Sequence, residues 1–162
     1  MCTGVRFADA AGNLYFGRNL DWCESYGEGV VITPRGASIP TQFLGSLSPE
    51  HACVGMGIVV GGVPCYFDCA NEAGLAIAGL NFPGYAQFAE APEEGAVNVA
   101  AYEFPLWVAA SFSTVAEVRE ALKGVVIVAK APSEGYGVAQ LHWLVGDGKE
   151  SIVIECQTDG MH

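Results

Sequence analysis

The first half of the chain is a succession of short apolar runs, each ended by glycine, proline or asparagine, and this punctuation most constrains the fold. Such runs, bounded by turn formers, read as strands. They are Cys2–Phe7, Leu14–Leu20, Gly29–Thr33, Val54–Val60, Pro64–Cys69 and Leu75–Asn81. Ala11-Gly12-Asn13 turns the first into the second, and Asn71-Glu72-Ala73-Gly74 joins the last two as a hairpin. A helical pair follows. Pro105 suits the first turn of a helix carrying Leu106, Trp107 and Val108. Thr114-Val115-Ala116-Glu117 has capping-box spacing and opens a helix with Val115, Val118, Ala121 and Leu122 inward. Leu141–Val145 and Ser151–Glu155 then flank the hairpin signal Gly146-Asp147-Gly148. Strands, two helices and strands again is the order expected of sheets with helices on an outer face. The 162 residues read as one domain, 1–162, with no repeat or linker. Ala89–Gly95 is acidic and proline-containing, the pattern of a solvated loop. From Val153 to His162 a strand runs into a turn with no closing element in view.

The chain opens Met1-Cys2-Thr3-Gly4, with cysteine at the head of a strand. Aminopeptidases remove an initiator methionine readily when the next side chain is small. Removal leaves Cys2 carrying both a thiol, the most nucleophilic ordinary side chain at neutral pH, and an α-amine of pKa ~8 able to act as a base. A hairpin of the first two strands brings Arg18 and Asp21 back beside Cys2. A guanidinium near a thiol favours the thiolate, and a carboxylate near an ammonium holds it in place. A buried strand with an ordinary packed cysteine and a surface ion pair is the competing reading of the same residues.

Met1-Cys2-Thr3-Gly4, Gly17-Arg18-Asn19-Leu20-Asp21-Trp22 and Gly79-Leu80-Asn81-Phe82-Pro83-Gly84-Tyr85 together resemble the choloylglycine hydrolase family, which groups bile salt hydrolases with penicillin V acylases. Tyr66-Phe67-Asp68-Cys69-Ala70-Asn71-Glu72 and Phe104-Pro105-Leu106-Trp107-Val108 resemble the bile salt hydrolases of Gram-positive gut bacteria. The resemblance covers essentially the whole chain, and family members run to nearly twice its length. It implies an α+β fold, the αββα sandwich of the N-terminal nucleophile hydrolases, present here as the N-terminal half. It also implies amide cleavage by acyl transfer, with Cys2 as nucleophile, Arg18 and Asp21 positioning and polarising it, and Asn81 beside the reacting carbonyl as an oxyanion-hole donor.

Asn81 ends the apolar run Gly74–Leu80, ahead of the Pro83-Gly84 turn, which suits either a site on a rigid scaffold or ordinary turn chemistry. The family supplies a further asparagine and arginine from its second half. The expectation is therefore a truncated chain or the N-terminal part of a split enzyme completed by a C-terminal half. The alternatives are a penicillin V acylase-type amidase, an inactive fragment and an apolar-ligand-binding domain. No cofactor and no metal is implied, and the small-molecule partner is an amphipathic amide, a glycine- or taurine-conjugated bile salt. A homo-oligomer is expected of the complete protein.

The net charge of −11, with only seven lysines and arginines, argues against nucleic-acid binding and against long-range attraction of an anion. A bile-salt-like anion would have to be captured by apolar contact and local cations. No apolar run reaches the ~18 residues of a membrane span, and no signal-peptide pattern precedes Cys2, so a cytoplasmic location away from membranes is expected. Of the six cysteines, Cys65 and Cys69 would share one face of a strand, too far apart for a disulfide. Cys23, next to Trp22, is either a pocket residue or an ordinary packed thiol.

Loops expected to crowd the site are Asp21–Glu28, Val60–Pro64 and Lys130–Val138, the last with the proline and glycines of a mobile loop. Trp22, Tyr26, Phe67, Phe82 and Tyr136 could supply apolar surface for a steroid or phenyl group, or could be core.

Overall fold

The structure, a computed structural model, describes residues 2–162. In chain order its strands are β1 (Thr3–Ala8), β2 (Leu14–Asn19), β3 (Gly29–Thr33), β4 (Ile39–Thr41), β5 (Gly45–Leu47), β6 (Cys53–Val60), β7 (Val63–Asn71), β8 (Ala76–Asn81) and β9 (Val97–Ala100). Helices α1 (Phe104–Ser111) and α2 (Val115–Ala121) follow, then β10 (Val125–Val128), β11 (Leu141–Gly146), β12 (Ser151–Ile154), β13 (Cys156–Gln157) and β14 (Gly160–Met161). Each strand and helix read from the sequence is present, with ends moved by one or two residues. The short pairs β4–β5, β9–β10 and β13–β14 carry too few residues to show a period and were not anticipated.

The scaffold is a six-stranded antiparallel sheet in the order β12-β11-β8-β7-β6-β3. One face carries α1, whose residues Phe104 to Ala110 are all buried, as expected of a helix apolar all round. Trp143 on β11 packs against Phe104 at 4.6 Å between ring centroids, and Leu75, Ile77 and Val145 fill the same layer. Asn71, at the end of β7, joins sheet and helix. Its amide nitrogen donates to the carbonyls of Ala109 (2.8 Å) and Phe112 (2.7 Å), and its oxygen accepts from Ala73 N and Leu75 N (both 3.0 Å). The buried side chain thus closes the hairpin turn and satisfies carbonyls at the end of α1 that have no intrahelical partner. The capping box at Thr114 and Glu117 forms as the spacing predicts.

The opposite face is covered in part. The hairpin β1–β2 lies over β8 and β11, with Gly4 so close to Leu80 and Leu144 that a Cβ there would meet Leu144 Cδ2 at 3.0 Å. Arg6 fixes the hairpin by donating from Nε to the carbonyl of Asp147 at 3.0 Å. Asp147 in turn accepts from Val115 N at 2.7 Å, so one residue ties hairpin, sheet and α2. Beside the hairpin the sheet face is bare. Val30 (71 % exposed) and Ile32 (70 %) on β3 pair with Met56 and Val54 on β6, and all four are exposed.

Three expectations are corrected. A bulge sets Met56 opposite Asp68 but Gly57 opposite Tyr66, leaving Phe67 as the extra residue of β7. Strict alternation therefore fails between Cys65 and Cys69. Cys65 pairs with Ile58 and shares its face, whereas the Cys69 thiol reaches the carbonyl of Pro105 under α1, at 3.6 Å. The segment from Ala89 is not wholly solvated: Ala89 bridges to Val128, accepting from Ala129 N at 2.8 Å. The last residues close on themselves, with β13 paired to β14 and Glu155 and His162 exchanging backbone hydrogen bonds at 2.8 and 2.9 Å. Among the described residues no helix is long and apolar enough to cross a membrane.

Candidate active site

A cavity of about 500 Å³ opens where the start of β1, the end of β2 and the end of β8 converge. Cys2, Arg18 and Asn81 all line it. Convergence follows from the registers. β1 and β2 pair with Thr3 opposite Asn19 and Gly4 opposite Arg18, which returns Arg18 to the start of the chain. Thr3 N donates to Asn19 Oδ1 at 2.7 Å and pins the chain immediately after Cys2. Asn81 is the last residue of β8, opposite Leu141, and is half-buried. Met1, whose removal the sequence reading expects, lies outside the described residues.

Arg18 is held from two sides. Its side chain is only 7 % exposed; Nη2 donates to the carbonyl of Gly79 at 2.7 Å and Nε stands 3.5 Å from Asp68 Oδ2. Burial pushes the Asp68 carboxyl above the usual aspartate value, against the opposing pull of Arg18 and of the Met56 backbone. Asp68 was not foreseen as a site residue, although a carboxylate inside the apolar run Tyr66–Ala70 is the signal that marks it. Asp21 lies just beyond β2, exposed, and does not line the cavity.

The thiols separate by environment. Cys53, Cys65 and Cys156 are buried and pushed up to about 11 by loss of solvation, and burial also raises Cys69 well above the ordinary thiol value. These four are inert thiols at neutral pH. Cys65 lines the cavity but donates its S–H to the carbonyl of Val63 at 3.6 Å. Cys23 is exposed and outside the lining, which corrects both of its sequence readings. Cys2, half-buried at the cavity wall, is the accessible thiol of the site.

Four of the five candidate aromatics form one wall of the cavity. Trp22 Nε1 donates to Tyr26 Oη at 3.0 Å, and Tyr26 meets Phe67 edge-on at 6.1 Å and Tyr136 at 6.2 Å. Trp22 and Tyr26 remain nearly half exposed, so they are wall and not core. Phe82 is the exception. It follows Asn81 and turns away from the cavity to stack on His142 at 4.6 Å and Tyr85 at 5.3 Å.

The loop 130–138 lines the cavity as expected, through Lys130, Pro132 and Gly135–Val138. Its flank is anchored where Phe82 N donates to the carbonyl of Gln140 at 2.8 Å. Residues 60–64 do not reach the site. They form a two-residue turn at Gly61-Gly62, both at positive φ, and so have no length to spare. Leu20, Ile58, Tyr66, Ala101 and Tyr102 add to the apolar lining and were not foreseen, because a single apolar residue carries no signal of which face is covered.

Comparison with known proteins decides the family. Residues 2–162 match the model of the linear amide C–N hydrolases, choloylglycine hydrolase family. The chain belongs to that family. It is 57 % identical over 163 residues to a bile salt hydrolase/transferase of Bifidobacterium longum subsp. longum, a match spanning 100 % of this chain and 51 % of the relative. It is 54 % identical over 155 residues to a conjugated bile acid hydrolase of Lactobacillus gasseri, spanning 96 % and 49 %. Among solved structures, the C2A mutant of conjugated bile acid hydrolase from Clostridium perfringens superposes with a TM-score of 0.95 at 36 % identity, over 100 % of this chain and 50 % of that one. Penicillin V acylase from Agrobacterium tumefaciens, 19 % identical with a TM-score of 0.75 over 100 % and 48 %, shares the fold. The architecture is thus that of the N-terminal nucleophile hydrolases, and the chain spans about half the length of the curated relatives it matches.

Proposed function

We propose that this chain carries the nucleophilic half of a conjugated bile salt hydrolase, with Cys2 as the attacking residue. The observation that carries this reading is that, among the described residues, the one accessible thiol of the cavity shares it with Arg18, Asn81 and a wall of aromatic rings. An apolar wall beside a few convergent polar groups suits a rigid amphipathic ligand.

Once Met1 is removed, the Cys2 amine takes the thiol proton and the sulfur attacks the amide carbonyl. Asn81 donates to the oxygen as it gains negative charge, a contribution of ~2.7–4 kcal/mol for one such donor. The C–N bond then breaks, the proton passes to the departing nitrogen, and glycine or taurine leaves. Water hydrolyses the thioester and restores the thiol. Asp21, exposed just outside the cavity, is assigned to the α-amine because the β1–β2 register, with Thr3 opposite Asn19, carries it back past the start of β1. Arg18, fixed by Gly79 and Asp68, brings a guanidinium to the cavity that Cys2 also lines, where positive charge favours the thiolate.

The test is glycine release from glycocholate. It is run with the chain and its Cys2→Ala variant, each with and without a polypeptide carrying the unmatched half of the Bifidobacterium longum relative. Release that depends on Cys2 is expected. Release that survives Cys2→Ala, or binding of no bile salt under any condition, overturns the proposal.

A further inference from the structure

The charge lining the cavity is opposite in sign to that of the chain. Net charge is −11, yet among the described residues lining the cavity there is no aspartate or glutamate, and the two charged groups present are Arg18 and Lys130. Their situations differ. Arg18 is neutralised by Asp68 and committed to the Gly79 carbonyl.

Lys130 has no such partner. Of the seven lysines and arginines, Arg6 bonds the carbonyl of Asp147, Arg35 pairs with Glu72, Arg119 with Glu150 and Lys123 with Glu120. Lys130 and Lys149 are left without an ion pair among the described residues. Lys149 sits on the remote β11–β12 turn, so among the described residues Lys130 is the one cationic side chain at the cavity without an ion pair.

Its placement is defined by the scaffold. β10 is paired to β9, and the next residue, Ala129, is tied through its N–H to the carbonyl of Ala89 at 2.8 Å. Lys130 follows directly, so its side chain springs from a fixed point at the cavity rim, on the loop that also brings Tyr136 to the aromatic wall.

We propose that Lys130 is a specificity residue that receives the anionic end, carboxylate or sulfonate, of an amphipathic amide whose apolar body lies on Trp22, Tyr26 and Tyr136. The proposal rests on the bile-salt reading of the site and adds how an acidic protein holds an anionic substrate. The overall field repels such a ligand, so the compensating charge has to be local and free of a protein counter-ion. A flexible ammonium accepts either a planar carboxylate or a tetrahedral sulfonate, because it acts as a point charge without the bidentate geometry of arginine.

The test is calorimetric binding of glycocholate, taurocholate and the uncharged glycinamide conjugate of cholic acid. The protein is the full chain in the Cys2→Ala form, which removes turnover, with Lys130 intact or changed to Gln or Arg. At low salt the chain with Lys130 binds both anionic conjugates about three- to fivefold more tightly than the uncharged one, the worth of an exposed ion pair. Lys130→Gln removes that preference and leaves the uncharged ligand unaffected. Lys130→Arg restores it, and high salt erases it. Retention of the preference in Lys130→Gln, or equal binding of all three ligands by the chain with Lys130, overturns the charge assignment alone. Binding of none of the three overturns the bile-salt reading and the assignment with it.

Discussion

Arg18→Leu isolates how a buried cation supports the site. Arg18 Nη2 bonds the Gly79 carbonyl at 2.7 Å, and a hydrogen bond from a charged donor contributes ~1.5–3 kcal/mol. The pair with Asp68 is longer, at 3.5 Å, and Asp68 is 27 % exposed, so its own worth lies near ~1 kcal/mol. Leucine recovers some apolar burial but leaves the Asp68 carboxylate half-buried without its cation. The expected loss is ~3 kcal/mol of unfolding free energy near neutral pH, within the range for breaking one side of a buried pair.

The pH dependence gives this number its signature. Asp68 already titrates above its usual value because of burial, and losing Arg18 removes an opposing influence and raises it further. A folded acid with a raised pKa binds more protons than the unfolded chain, so stability falls as pH rises above the unfolded aspartate value and continues to fall up to the folded one. The deficit of Arg18→Leu should therefore be smaller at pH 4 than at pH 7, and Arg18→Leu combined with Asp68→Asn should regain much of it. Urea unfolding at the two pH values measures this, with an unchanged denaturant slope as the control. A deficit below ~0.5 kcal/mol, or one independent of pH, refutes the reasoning, because it would mean that solvent already screens Asp68.

Asn71→Ala should cost ~3–4 kcal/mol in the same assay, since four hydrogen bonds are lost and helix carbonyls are left without partners. Asn71→Asp keeps the two accepted bonds but sets a carboxylate against the Ala109 and Phe112 carbonyls, so it should be no milder. Tyr26→Ala should weaken cholate binding about three- to tenfold in calorimetry, because it removes the ring that touches both Phe67 and Tyr136. Phe82→Ala should leave binding unchanged, as its stack with His142 and Tyr85 lies outside the cavity.

Much of the scaffold was legible because its strands are long enough to show their period and end in residues with defined turn chemistry. Asn71–Gly74 and Gly146–Gly148 mark hairpins unaided, whereas Gly61-Gly62 was read as part of a longer loop. The short pairs β4–β5, β9–β10 and β13–β14 were not legible, because two to four residues carry no periodicity and their partners are distant or recently turned. The bulge at Phe67 was hidden for a related reason. Nothing in Tyr66-Phe67-Asp68 announces an extra residue, yet it puts Cys65 on the cavity side and Cys69 under α1.

That Cys2, Arg18 and Asn81 come to one cavity was readable from the hairpin and from the family resemblance, and that Trp22, Tyr26, Phe67 and Tyr136 line it was readable from their aromatic character. Asp68 was missed, and Lys130 was read only as the first residue of the loop 130–138. The role of each depends on which charges are already paired in three dimensions, and sequence spacing does not report that.

The most direct test of Cys2 as nucleophile is the intact mass of the chain, acid-quenched during incubation with glycocholate and followed by peptide mapping. The expected result is loss of Met1 and a cholyl thioester on the peptide beginning at Cys2, absent from Cys2→Ala. Glycine release by a chain that keeps Met1, or acylation of another cysteine instead, would contradict it.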